Sequence, residues 1–213
     1  MTAIRHSIPD DLLIGYAAGA LPQAFDLVVA SHVSLCDDAR ARLATYEAVG
    51  GAVIDDLDAA DIAEDSLDRT MAKIAGMSPA ESKPFVHGVF PAPLREAVGG
   101  DADAVQWRAL GMGAKQAVLH QDGDTSARLL YIPAGQAMPA HSHRGTEMTL
   151  VLKGAYSDES DRFARGDIEV ADSDMHHTPV AEPGEDCICL VATDARLRFD
   201  GWLPRIAQTF LRI

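Results

Sequence analysis

Four side chains in the C-terminal half of the chain have the residue types and spacing of a metal site. His141 and His143 are two residues apart, so on a β-strand both side chains point to the same face. Glu147 can return to the same cavity after a short turn, and His177 supplies a fourth group from a later strand. Three neutral imidazoles and one carboxylate are suitable ligands for Zn²⁺, and also for Mn²⁺, Fe²⁺ or Ni²⁺. The alternative is a metal-free barrel whose histidines hydrogen-bond one another, although burying such groups without a partner is costly.

A second candidate metal site lies near the N-terminus. His32 and Cys36 are four residues apart, so on a helix they share one face, and His6 stands upstream of them. A thiolate and two imidazoles are good zinc ligands. The alternative is a helical domain that folds without metal, in which Cys36 is an ordinary small hydrophobic residue.

Two further thiols, Cys187 and Cys189, share one face of an expected strand. A disulfide between positions i and i+2 of an extended strand has poor geometry. The pair is either two buried small hydrophobic residues or a pair of oxidisable thiols close to the metal. With three cysteines in 213 residues, the chain has no disulfide framework.

Two types of structural element must position these side chains. Residues 1–80 have apolar residues at helical spacing, with helices expected at residues 10–20, 23–34, from about 37 onwards, and at 61–74. Residues 81–104 form a proline-rich connecting segment. Residues 105–213 show short strands separated by turn residues, expected at 106–110, 116–120, 127–132, 147–152, 168–170, 187–192 and 197–199. The pattern predicts a two-domain α + β protein with a small N-terminal helical bundle and a C-terminal β-sandwich or barrel.

The net charge of −14 argues against direct nucleic-acid binding, because phosphate contacts require Lys and Arg. Residues 1–80 contain 13 acidic and 5 basic residues. This surface is either simply solvated or it meets a basic protein partner. The apolar stretches are too short to cross a bilayer, and the N-terminus does not resemble a signal peptide. We therefore expect a cytoplasmic protein.

The C-terminal half resembles the cupin superfamily, a group of double-stranded β-helix barrels. The first cupin motif, G-x5-H-x-H-x3,4-E-x6-G, is matched in full by Gly135, His141, His143, Glu147 and Gly154. The second motif begins at Gly166 and places its histidine at His177, so that the neighbouring His176 should face the opposite way. The turn residues of this motif differ, with Asp172 and Asp174 at its Pro and Gly positions and Ala181 in place of its Asn.

The N-terminal half resembles the zinc-binding anti-sigma domain, whose pattern is an upstream His followed by H-x3-C-x2-C. The resemblance implies a second Zn²⁺ held by His6, His32 and Cys36. The fourth ligand position is Ala39, so Asp37, Asp38 or a solvent molecule would have to complete the site; otherwise the domain folds without metal.

The combination of these two domains over residues 1–213 resembles the ChrR family of bacterial anti-sigma factors, with strings such as RLLYIPAGQAMPAHSHRG and DCICLVATDARLRF. The resemblance implies a transcriptional regulator whose helical domain sequesters an extracytoplasmic-function sigma factor. It also implies a cupin domain that conveys photo-oxidative (singlet oxygen) stress and frees the sigma factor. The apolar residues that either contact this partner or pack within the helical domain are Leu12, Leu13, Tyr16, Leu43 and Met71.

The main alternative function is a cupin metalloenzyme with dioxygenase-like or isomerase-like chemistry at the same metal. A barrel of this kind hosts many functions, so the fold alone does not decide. The helical domain with His6, His32 and Cys36 favours the regulator, because a small cupin enzyme has no need of it.

Overall fold

The computed structural model describes residues 4–78, 88–142, 145–173, 175–195 and 198–199. Its helices are α1 (Asp10–Ala17), α2 (Gln23–Leu35), α3 (Asp37–Asp55), α4 (Ser66–Gly76) and α5 (Ala92–Val98). The first two helices begin directly after Pro9 and Pro22, whose backbones are extended. The four helices expected from the sequence are thus present, with shifted ends.

The helical differences from expectation have local causes. α3 continues through Gly50 and Gly51 to Asp55, although each glycine in a helix costs about 1 kcal/mol. α5 lies inside the segment that was expected only to connect the two halves. It ends at Gly99, whose φ of 79° provides the left-handed cap, and its Leu94 is fully buried.

The described strands are β1 (Arg108–Gly111), β2 (Ala114–Asp122), β3 (Thr125–Ile132), β4 (His141–Ser142), β5 (Glu147–Lys153), β6 (Ala155–Ser157), β7 (Arg162–Ala164), β8 (Ile168–Ala171), β9 (His176–His177), β10 (Val180–Ala181), β11 (Cys187–Thr193) and β12 (Arg198–Phe199). They form one six-stranded sheet, β1-β2-β3-β11-β5-β8, and two three-stranded sheets, β10-β6-β7 and β12-β4-β9. The N-terminal helices and the C-terminal antiparallel sheets confirm the predicted α + β fold class.

The central strands β5 and β11 of the large sheet are buried on both faces, as β11 illustrates. Its Ile188, Leu190 and Ala192 belong to a core shared with the helices, including Val28 and Val29 of α2. The alternate residues of β11 belong to a second core between the sheets, together with Tyr156 and Phe163. The residues of β5 and β8 on the same face of the sheet as this second core therefore point into the barrel interior.

The helical unit is docked on the outer face of the large sheet. α2 contacts β11, β3, β5 and β2, and its buried side chains continue the core of the sheet without a break. The helical unit and the barrel therefore form one packed structure. Among the helices that the structure describes, none combines the length and apolar character needed to cross a membrane.

Candidate metal centre

The candidate site forms where two short strands pair. β4 and β9 place His141 opposite His177, with the two Nε2 atoms 3.1 Å apart. Glu147, the first residue of β5, is also buried, and one ligand atom from each of the three residues lies within 4.8 Å of the others. The neighbouring His176 is exposed, as strand alternation predicts. His143, the remaining ligand predicted from the sequence, lies outside the described residues.

Hydrogen bonds determine which nitrogen of each imidazole faces the shared space. The His141 Nδ1 lies 2.9 Å from the carbonyl oxygen of Pro139, and a carbonyl only accepts, so Nδ1 carries the proton. The His177 Nδ1 lies 2.9 Å from Asp158 Oδ2 and donates to that carboxylate. Both rings therefore present Nε2 to the same space. Metal-binding histidines are typically held in this way, with a carbonyl or carboxylate at the other nitrogen.

A buried polar layer supports His177 from behind. Asp158, whose side chain is fully buried, accepts hydrogen bonds from Ser160 N at 2.8 Å and from Ser160 Oγ at 2.6 Å. Glu169 Oε1 lies 3.4 Å from His177 Nδ1, and the Tyr156 hydroxyl donates to Glu169 Oε2 at 2.6 Å. Asp158, Glu169 and His177 also have the spacing of metal ligands, but this set uses Nδ1, which already donates to Asp158. We therefore interpret this layer as the support of His177.

Burial and hydrogen bonding set the charges of the three ligands in different ways. Burial lowers the pKa of His141 to about 4, so the ring is neutral at pH 7. Burial raises the pKa of Glu147 to about 7. Burial also disfavours the charged His177 ring, but hydrogen bonds to Glu169 and Asp158 outweigh it and raise the pKa of His177 to about 9. The buried carboxylates therefore favour positive charge at His177.

The donor set fits a divalent metal. Zinc–nitrogen bonds in a tetrahedral site place two imidazole nitrogens about 3.3 Å apart, and the Nε2 atoms of His141 and His177 are 3.1 Å apart. Glu147 adds a carboxylate oxygen, and His143 is the expected fourth ligand. Two or three imidazoles with one carboxylate suit Zn²⁺, Mn²⁺, Fe²⁺ and Ni²⁺, so the donor set does not by itself choose among them.

The structure places the candidate ligands of the helical unit differently from the sequence prediction. His32 and Cys36 lie at the end of α2, and both are buried. The side chain beside them is Ser7, whose Oγ lies 3.4 Å from His32 Nε2 and 3.9 Å from Cys36 Sγ. Ala39 approaches the same thiol with its backbone amide, 3.5 Å from Sγ. Ser7 and Ala39 thus stand where a zinc site would need its other two ligands.

His6 faces the barrel instead. Its ring packs against Phe163 with the centroids 4.6 Å apart, and its Nε2 lies 3.5 Å from Asp161 Oδ2. Its backbone N–H donates to Asp167 Oδ1 at 3.0 Å, and its carbonyl accepts from the Ile168 N–H at 3.0 Å. His6 therefore does not join His32 and Cys36 in the described structure.

Cys187 and Cys189 lie on the inward face of β11, with their sulfur atoms 3.6 Å apart, and both are buried. The adjacent Cys187 thiol and burial raise the pKa of Cys189 well above its usual range. Reactive thiols are instead accessible and have a lowered pKa. This environment favours the alternative in which both cysteines are core residues.

Comparison with known proteins identifies the family. Residues 95–196 match the sequence profile of the ChrR cupin-like domain. The anti-sigma-E factor ChrR of Cereibacter sphaeroides is 51% identical over 212 residues, which is 99% of each chain. The chain belongs to the ChrR family of anti-sigma factors. The crystal structure of Rhodobacter sphaeroides ChrR in complex with SigE is also 51% identical, with a TM-score of 0.79, and the match covers 90% of this chain and 100% of that one.

Membership of the ChrR family confirms the expected regulator and argues against the alternative of a dioxygenase-like or isomerase-like cupin enzyme. The cupin resemblance of the C-terminal half is confirmed as well. The second zinc that the resemblance implied for the helical unit does not fit the residues present. Beside Cys36, Ser7 offers a hydroxyl group and Ala39 offers a backbone N–H, which is a donor and not a ligand.

Proposed function

We propose that this ChrR-family protein sequesters an extracytoplasmic-function sigma factor in the cytoplasm and releases it on photo-oxidative (singlet oxygen) stress. The observation that carries the proposal is an apolar surface on the helical unit. No residue of α4, all of which the structure describes, is buried. Leu67, Met71 and Ile74 recur at helical spacing and are 56–70% exposed. A helix face of this kind is typical of a protein–protein interface.

The end of α3 also carries exposed apolar residues, namely Val49, Val53 and Ile54. In contrast, Leu13 and Leu43 are buried within the helical unit, so these two residues belong to its own core. Leu12 and Tyr16 are partly buried and pack against the same core. Of the five apolar residues considered in the sequence, Met71 is therefore the one that we assign to the partner.

The charge of this surface suits a sigma factor. Residues 49–78 contain seven acidic and two basic residues. A protein that binds promoter DNA needs Lys and Arg for the phosphates, so its DNA-binding surface is basic. Six of the seven acidic residues lie within residues 55–65, directly before α4. An acidic segment next to an apolar helix face complements such a surface and competes with DNA for it.

The cupin centre is linked to the helical unit through residues 158–168, which we call the relay segment. At one end, Asp158 accepts the hydrogen bond from His177 Nδ1. Further along, Asp161 Oδ2 lies 3.5 Å from His6 Nε2 and 3.9 Å from Arg5 Nη2. The first contact is with a metal-ligand candidate and the second is with the N-terminal residues of the helical unit.

The other end of the relay segment contacts the helical unit directly. The Gly166 carbonyl accepts a hydrogen bond from His32 Nδ1 at 3.1 Å. Asp167 Oδ1 accepts from the amides of Arg5 and His6 at 2.6 and 3.0 Å. A change in the position of His177 would therefore move residues that hold α2 and the N-terminus, which is our proposed route from the barrel to the sigma factor.

His141, His143, Glu147 and His177 would hold the metal, with Zn²⁺ as our first expectation and Mn²⁺, Fe²⁺ or Ni²⁺ as alternatives. Bound zinc is a redox-inert Lewis acid that fixes the geometry of its ligands. The role of the chain's own residues is to keep His177 Nε2 aimed at the centre through Asp158 and Glu169. A change at the centre would reach the relay segment through the His177 imidazole and Asp158, so a chain without that imidazole should be unable to pass on the signal.

The experiment that tests partner binding is co-expression with an extracytoplasmic-function sigma factor from the same genome. We expect a 1:1 complex that survives purification with the wild-type chain. Met71→Asp should abolish the complex, because a charge would enter the apolar interface. Ala72→Asp, on another side of α4, is the matched control and should retain it. No complex with the wild type, or equal binding by both variants, would refute the proposal.

The experiment that tests signalling uses the purified complex exposed to a photosensitiser and light. We expect the wild-type complex to dissociate, and we expect illumination to cause no dissociation when the chain carries His177→Ala. The exposed neighbour, His176→Ala, should respond like the wild type. Equal dissociation of the His177→Ala complex would show that the metal centre does not carry the signal.

A further inference from the structure

We propose that the helical unit of this chain is a metal-free form of the zinc-binding anti-sigma domain, in which a hydrogen-bonded His32 and the Arg42 guanidinium replace the ion. Sets of three or more metal-ligating side chains occur among the described residues only in the barrel. Beside Cys36 the neighbours are His32, the Ser7 hydroxyl and the Ala39 amide. Two strong ligands are too few for a structural zinc site, which uses four.

The His32 ring is already engaged at both nitrogens. Its Nδ1 lies 3.1 Å from the Gly166 carbonyl, so Nδ1 carries the proton and donates. Its Nε2 then accepts from the Ile8 N–H at 3.4 Å and lies 3.4 Å from the Ser7 hydroxyl. The lone pair that would bind zinc therefore faces a backbone donor. The ring is fully buried, and burial lowers the pKa of His32 to about 4, so it is neutral in this role.

A positive charge already stands beside the cluster. Arg42 Nη1 donates to Ser7 Oγ at 3.3 Å, and Nη2 donates to the Ile8 carbonyl at 2.9 Å. The guanidinium is held there by an ion pair with Asp10. A dication at His32 and Cys36 would lie close to this charge and be repelled by it.

The two carboxylates that might have completed a zinc site are directed elsewhere. Asp37 pairs with Arg40 at 2.7 Å, and Asp38 lies 3.5 Å from Arg42. Both side chains are largely exposed, at 93% and 72%. Neither appears in a metal-ligand set among the described residues.

Docking on the barrel stabilises the helical unit in place of an ion. The hydrogen bond from His32 to Gly166 crosses between the two units, as does the hydrogen bond from the Ile168 N–H to the His6 carbonyl. Gly166 also allows close approach, because a Cβ there would lie 2.7 Å from Ile4 Cδ1. A small domain without metal needs another source of stability, and the shared core supplies it.

Metal content of the full-length chain tests the proposal. Wild-type, Cys36→Ala and His141→Ala chains are purified without chelator and measured by mass spectrometry of the elements. We expect wild type and Cys36→Ala to contain the same metal per chain, and His141→Ala to lose it. A wild-type chain that holds one equivalent more than Cys36→Ala would overturn the proposal.

Cobalt substitution gives a second readout that does not depend on a variant at Cys36. The barrel ligands are nitrogen and oxygen, so in a chain that also carries Cys187→Ala and Cys189→Ala, which removes the two barrel thiols, a thiolate-to-cobalt absorption band in the near ultraviolet would report ligation by Cys36 alone. We expect no such band in that chain and a new band when Ser7→His and Ala39→Cys are added to it. A band in the chain without these two additions would contradict the proposal, and its absence in the chain with them would contradict our assignment of the two replaced positions.

Discussion

The two histidine clusters of this protein contain similar residue types, yet their chemistry differs. In the barrel, the Nε2 atoms of His141 and His177 face each other at 3.1 Å, so two acceptor positions meet and require a cation or a proton between them. In the helical unit, the Nε2 of His32 faces the Ile8 N–H, which satisfies it directly. Ligand type alone therefore does not make a metal site. Whether a metal can bind depends on the group that faces the Nε2 atom of the imidazole.

The charges around the two clusters reinforce this difference. Asp158 and Glu169 lie behind His177 and favour positive charge there. Arg42 lies beside Ser7 and His32 and disfavours it. The charges in the barrel cluster thus favour binding of a cation, whereas the cluster in the helical unit already contains a cation, the Arg42 guanidinium.

The largest expected effect is on metal binding in the barrel. His177→Ala should lower metal affinity by more than about 100-fold, because it removes a ligand rather than its support. Competition with a chromophoric chelator measures the affinity. His176→Ala, one residue away and exposed, is the control and should bind like the wild type. If both variants bind equally well, His177 is not a ligand.

A second prediction concerns stability and pH at His32. His32→Gln should lower the free energy of unfolding by about 2 kcal/mol above pH 6.5, because Gln cannot satisfy both Gly166 and Ile8. The neutral ring stabilises the protein fully above its ordinary pKa of 6.5, and this contribution is lost as the pH falls toward about 4. Denaturant titrations should therefore show the gap between wild type and variant narrowing from pH 6.5 to 4.

The same titrations with a chelator provide the control for His32. We expect chelation to leave the gap between wild type and His32→Gln unchanged. If the gap vanished with the chelator, His32 would act through a metal and the contrast between the two clusters would be lost.

A smaller effect is expected for the support of His177. Asp158→Asn should weaken metal binding by about 10-fold, because the amide is a poorer acceptor for the His177 N–H and no longer carries charge. The comparison variant is Asp161→Asn, whose carboxylate lies near His6 and Arg5 rather than His177. Isothermal titration of the metal-stripped chains measures both. Equal affinities would mean that Asp158 does not orient the ligand.

The smallest effect on signalling is expected for the thiols of β11. A Cys187→Ala/Cys189→Ala chain should be about 1 kcal/mol less stable for each substitution, because small cavities remain in the core. Its complex with the sigma factor should still dissociate on illumination with a photosensitiser, with the wild-type time course. If a correctly folded variant formed a complex that no longer dissociated on illumination, the thiols would take part in signalling.

Much of the fold could be predicted because its local patterns agree with its packing. The alternation in β11 and the turn at Gly154 are examples. Gly154 has a φ of 67°, and a Cβ there would lie 2.6 Å from the Asp186 carbonyl oxygen, so the motif glycine is required. α5 was missed because seven residues between prolines and glycines carry little helical periodicity.

The site could be predicted in part. His141, Glu147 and His177 follow from motif spacing, whereas Asp158 and Glu169 reach His177 only through strand pairing that the sequence does not specify. The one available sign was Glu169 itself, an acidic residue inside the apolar strand IEVA. Ser7, and not its neighbour His6, lies beside His32. The sequence does not reveal this difference of one residue, because the segment before α1 has no helical or strand periodicity.

Anomalous diffraction at the zinc absorption edge, from crystals of the full-length chain grown with zinc, tests the contrast between the two clusters most directly. We predict one strong peak between His141, Glu147 and His177 and none beside Cys36. A peak within bonding distance of Cys36 Sγ, or no peak at the barrel ligands, would contradict the account.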